Sequence, residues 1–154
     1  MIKMKNVIKN YSKGVKALRG VNLTIADGEF VYLVGASGSG KSTLAKLLYR
    51  EEKANKGQIE VCGQLISKMK EKDIPKLRRQ IGIVFQDFKL LLDRTVFDNI
   101  AYALEVIGIE PDEIKPLVMQ ALRYVELEHK ANDKPTELSG GEQQRVSIAR
   151  AIVN

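Results

Sequence analysis

The chain has 154 residues, 44% hydrophobic and 29% charged, with one cysteine and a net charge of +6. This composition suits a folded domain with a real core and excludes a disordered, collagen-like or disulfide-stapled chain. Cys62 has no intrachain partner, which points to a reducing compartment. The N-terminal segment MIKMKNVIKNYSKG has no apolar centre, so it does not read as a signal peptide, and no apolar run reaches the ~18 residues of a membrane span.

In chain order, Val21, Leu23 and Ile25 alternate with polar residues, predicting a half-buried strand. Asp27-Gly28 marks a turn. Phe30 to Val34 (FVYLV) is apolar throughout, the pattern of a strand covered on both faces. A glycine- and serine-rich loop follows, and then Leu44, Leu47 and Leu48 recur at helical spacing. Ile59 and Val61 predict a short strand, and Ile81 to Phe85 (IGIVF) a second fully buried one. Strand, loop, helix and strand in this order predict an α/β fold with parallel pairing. From Phe88 the pattern turns helical. Thr95 and Asp98 form a possible cap, and Pro111 opens a stripe of Ile114, Val118, Ala121, Leu122 and Val125. Ser139 then opens a final helix.

Charge is uneven. Residues 1–26 contribute +6 and residues 61–80 contribute +4, leaving −4 for the rest. A solvated basic face accounts for this, and attraction to anionic lipid headgroups is the functional alternative. No zinc-ligand spacing or aromatic RNA-binding motif is present, so nucleic acid is not an expected partner.

Two motifs carry chemistry. Gly35-Ala36-Ser37-Gly38-Ser39-Gly40-Lys41-Ser42 matches G-x-x-x-x-G-K-[ST], which a chain this long meets by chance roughly once in 200. Such a loop turns its backbone N–H groups around phosphates, with Lys41 for the β- and γ-phosphates and the Ser42 hydroxyl for Mg²⁺. The second motif is Leu138-Ser139-Gly140-Gly141-Glu142-Gln143-Gln144-Arg145. Ser139 and Glu142 form a capping box, and the two glycines leave the helix N-terminus open to a phosphate.

LSGGEQQR after a P-loop in one chain resembles the signature of ABC-type ATPases. The resemblance covers the whole chain. It implies a P-loop NTPase core over 1–87 and an α-helical subdomain over 88–154. The C-terminal part of the core, with the Walker B carboxylates, D-loop and switch histidine, would lie beyond these residues. His129, before the signature, reads as an exposed helix-end histidine. The resemblance implies ATP and Mg²⁺ as cofactors. Nucleotide contacts would come from Tyr11, Gly35, Ser37, Gly38, Ser39, Gly40, Lys41, Ser42 and Thr43, and from Ser139, Gly140 and Gly141 across a homodimer. Ser42 and Gln86 would meet the metal, and Gln86 and Lys41 would act in catalysis. Tyr11 reads equally as a core aromatic or as an adenine-stacking ring, and Ser139 as a cap or a phosphate contact.

FQDFKLLLDRTVFDNIAYALEVIG (Phe85 to Gly108), LRRQIGIVFQD and ARAIVN resemble the bacterial cell-division branch of the family more than the lipoprotein-release or macrolide-export branches. That branch implies an FtsX-like integral membrane subunit, peripheral placement on the cytoplasmic face, and partner docking near the apolar cluster Phe88, Leu90, Leu91, Leu92, Val96 and Phe97. Residues 1–154 by themselves are expected to bind nucleotide without turnover. A repair-type ATPase would need long heptads between the motifs, which are absent, and a small-molecule kinase would leave LSGGEQQR without a task.

Overall fold

A computed structural model describes residues 1–153, apart from the side chain of Lys13. The Lys13 charge in the basic stretch and Asn154 at the end of ARAIVN lie outside the described residues. The chain divides into two compact units, 1–78 and 79–154.

The first unit is built on β1 (Ile2–Asn10), β2 (Lys16–Ile25), β3 (Lys56–Val61) and β4 (Gln64–Leu65), in the sheet order β2-β1-β3-β4. Each neighbouring pair is antiparallel. Met4 and Val7 of β1 are buried with Ile59 and Val61 of β3, whereas Lys5 and Asn6 face solvent. The ladder shifts register between Met4 and Val7, where Asn6 sits at φ 49° and its N–H donates to Asn22 Oδ1 at 2.9 Å. A bulge costs ladder bonds, and this side chain replaces one. Helix α1 (Lys41–Leu48) buries Thr43, Leu44 and Leu47, and the short α2 (Ile74–Arg78) buries Ile74 and Leu77.

Two expectations are corrected here. The sheet is antiparallel, not parallel, and neither FVYLV nor IGIVF forms a strand among the described residues. Phe30, Tyr32 and Val34 are 80%, 79% and 83% exposed. A strand apolar on both faces is stable only with neighbours on its edges and layers over its faces, and no described strand pairs with either segment. Apolar periodicity reports that a segment is meant for burial, not which segment covers it. Phe30 and Tyr32 instead pack edge to face, ring centroids 4.9 Å apart.

The second unit is helical: α3 (Val96–Ile107), α4 (Pro111–Tyr124) and α5 (Gly140–Ile152). Thr95 caps α3 in a full capping box with Asp98, and Pro111 opens α4 as expected. Val96, Ile100 and Leu104 of α3 meet Val118 and Leu122 of α4 and Val146 and Ala149 of α5 in one apolar core. Leu127 and Leu138, on the connection between α4 and α5, close it. At about 25 cal/mol per Å², this burial is the main stabilising term of the unit.

Candidate functional site

The glycine-rich loop ends at Gly40, which caps α1 in the left-handed region at φ 97° and provides no side-chain cap. A Cβ there would stand 2.6 Å from the Ala17 carbonyl oxygen, so only glycine fits. The first turn of α1 therefore starts directly from the loop backbone, with its N–H groups directed toward residues 35–40. Lys41, the first helical residue, turns its ammonium back over the loop. It donates to the Gly35 and Ala36 carbonyls, both at 2.7 Å. Ser37, Gly38, Ser39 and Ser42 are exposed, and Thr43 is buried.

Tyr11 lies beside the same helix. Its hydroxyl is 3.3 Å from Thr43 Oγ1, and the Lys9 ammonium stands 4.9 Å from its ring centroid. Lys9 itself is buried and paired with Glu52 at 2.6 Å. Tyr11 is only half-buried, so its ring is partly open to solvent.

In the second unit, Gln86 is exposed at the head of a turn held in an uncommon conformation. Phe88 and Lys89 adopt φ 57° and 50° in succession. For residues with a Cβ this costs roughly 1–2 kcal/mol each, so the surroundings must impose it. They do so from α5. The Arg150 guanidinium donates to the Phe88 carbonyl at 2.6 Å and the Lys89 carbonyl at 2.7 Å. The Ser147 hydroxyl donates to Phe88 O at 3.4 Å. Burial pulls the Arg150 pKa down from its ordinary value, yet a guanidinium keeps its charge at neutral pH.

The signature helix α5 opens on a complete capping box. Ser139 Oγ donates to Glu142 Oε2 at 2.7 Å and accepts from the Glu142 N–H at 3.4 Å, while the Ser139 N–H donates to Oε2 at 2.8 Å. The Ser139 hydroxyl, then its amide, hold the Glu142 carboxyl below its ordinary pKa. Gly140 and Gly141 are exposed, and a Cβ on either would meet nothing within 4 Å. Nothing within the described chain requires glycine at these two positions.

Of the apolar cluster after Gln86, Val96 is buried and Leu90 and Phe97 pack on the helical core. Leu91 and Leu92 remain exposed. Asn99, fully buried, fixes this connection. It accepts from the Leu91 N–H at 2.7 Å and donates to the Leu91 and Thr95 carbonyls at 3.0 and 2.8 Å. One polar residue on the otherwise apolar face Val96-Ile100-Leu104 was a readable signal for that role. Arg150 and Ser147 carry no such mark, because their partners are backbone carbonyls some sixty positions away.

The P-loop geometry and the signature helix lie on a chain whose residues 18–154 match the family model described as ABC transporter. The chain belongs to the ABC transporter family. This cassette is 60% identical to the cell division ATP-binding protein FtsE of Bacillus subtilis (strain 168), over all of this chain and 68% of that one. It is 55% identical to FtsE of Streptococcus pneumoniae serotype 2 (strain D39 / NCTC 7466), over 100% of this chain and 67% of that one. Its backbone is similar to the dimeric post-hydrolysis state of the ATP-binding cassette MJ0796 bound to ADP and Pi. The TM-score is 0.92 at 39% identity, covering 100% of this chain and 70% of that one. The family binds ATP. No helix among the described residues of the cassette is long and apolar enough to cross a membrane, and no His, Cys, Asp or Glu cluster could hold a metal by itself.

Proposed function

We propose that this cassette binds ATP-Mg²⁺ as the ATP-binding subunit of a cell-division membrane complex, and that it acts as a homodimer. The observation that carries the reading is the Lys41 ammonium, held over an exposed glycine loop that opens α1. Loop amides, the α1 N-terminus and Lys41 form an electropositive cradle suited to phosphates. Gly35, Ser37, Gly38, Ser39, Gly40 and Thr43 contribute to that cradle, and the Tyr11 ring is the adenine-stacking surface. The Ser42 hydroxyl, together with the phosphates, would hold Mg²⁺. When bound, it neutralises charge on the phosphates. Gln86 would give the second contact to the metal and would orient the attacking water. Exposed Gly140 and Gly141, with Ser139, take up the γ-phosphate held by the other copy.

The partner is an FtsX-like membrane subunit, seated against exposed Leu91 and Leu92, with peripheral placement on the cytoplasmic face. The division of labour follows the two motif-bearing segments, 1–87 for the nucleotide core and 88–154 for the helical part. The decisive test is calorimetric titration with ATP. Wild type should bind, and Lys41→Ala should bind far more weakly. Equal affinities would sink the assignment. Leu91→Asp should spare ATP binding but reduce co-purification with the membrane subunit.

A further inference from the structure

Both arms of the chain around Gln86 rest on the last two turns of α5. On the incoming side, Gly82 lies so close to the helix that a Cβ would stand 2.1 Å from the Ala151 carbonyl oxygen. On the outgoing side, Arg150 and Ser147 hold the carbonyls of Phe88 and Lys89, two residues locked in the left-handed region. Three independent contacts from positions 147–151 therefore bracket one exposed glutamine. The opposite end of the same helix carries Ser139, Gly140 and Gly141. A helix is stiff along its axis, so displacement at one end is felt at the other.

We propose that Arg150, supported by Ser147, is a positioning residue that fastens the Gln86 turn to the signature helix, so that the two motifs move as one body. Both side chains are engaged by backbone carbonyls of the turn. The guanidinium suits the task because its planar fork holds two separate nitrogens in fixed geometry, one for each of two successive carbonyls. The left-handed pair supplies the restoring force: released from Arg150, Phe88 and Lys89 return to ordinary backbone angles and Gln86 is re-aimed. That the turn and the signature respond to nucleotide rests on the function proposed above, whereas the fastening itself does not.

Hydrogen exchange read by mass spectrometry tests both parts on the full chain. Without nucleotide, Arg150→Gln should speed exchange across 85–92 at least about tenfold, the size expected for losing charge-assisted hydrogen bonds. Peptides 100–104 and 118–122 of the helical core should be unchanged. Arg150→Lys should fall between the two, and it serves as the reading if the glutamine variant fails to fold. Adding Lys89→Gly to Arg150→Gln should recover part of the protection, because glycine accepts the turn without the guanidinium. With ATP, wild type should change protection at 85–92 and 139–146 together. Arg150→Gln should lose that concert while keeping its calorimetric ATP affinity. Unchanged exchange at 85–92 in both Arg150 variants overturns the proposal. Failure of wild type to bind ATP would instead remove the function reading, with the fastening still decided by the nucleotide-free arm.

Discussion

The N-termini of α1 and α5 are built in opposite ways. Helix α1 begins from a left-handed glycine with no side-chain cap, and its first residue, Lys41, curls back over the loop. Helix α5 begins from Ser139 with a full capping box. The first end leaves its donors to the loop and to a guest. The second satisfies the Glu142 N–H internally, and a guest must compete with Glu142 for Ser139. The glycines differ in the same sense. Gly40 is demanded by the chain's own packing, whereas Gly140 and Gly141 meet nothing. An internal glycine protects the fold, and an unneeded exposed one points to a surface that something else approaches closely.

The sharpest way to break this contrast is Gly40→Ala. The clash with Ala17 O and the left-handed φ should together destabilise the first unit by about 3 kcal/mol, measured by urea unfolding. A neutral result would mean the α1 entry is looser than described. Next comes Lys41→Ala, which should weaken ATP binding by roughly 10- to 100-fold while leaving the unfolding midpoint in place. Loss of both together would make Lys41 a structural residue.

At the other helix the effects are smaller. Ser139→Ala removes the cap and should cost about 1 kcal/mol in the helical unit. Gly141→Ala should change stability by no more than about 0.5 kcal/mol, yet weaken ATP-driven self-association seen by light scattering. A markedly less stable variant would show that this glycine has an internal duty after all. The smallest effect is that of pH. The Glu142 carboxyl is held below its ordinary value, so its capping contribution is full above about pH 4.3. It fades as the pH falls through the lowered folded value. The Glu142 amide should then lose exchange protection on acidification, and Glu142→Gln should flatten that dependence.

Both chemical motifs and all three long helices of the second unit were legible from local pattern. The Thr95–Asp98 box, Pro111 at the start of α4 and the Ser139–Glu142 box act within three or four residues, so their physics is contained in the string itself. The strand β1 went unpredicted: Ile2, Met4 and Ile8 stand among lysines, but the bulge at Asn6 breaks the alternation that would announce a strand.

The sequence by itself determined a phosphate-cradling α/β chain, because a P-loop is a local device with few other uses, and LSGGEQQR after it carried the resemblance to ABC-type ATPases. Tertiary structure alone decided three things. Pairing is non-local, so only the fold shows that the sheet is antiparallel and that FVYLV lies outside it. Burial is collective, so only the fold separates Val96 in the core from Leu92 at the surface. Arg150 bonds backbone carbonyls, which every residue has, so no pattern of side chains could name the turn that it holds.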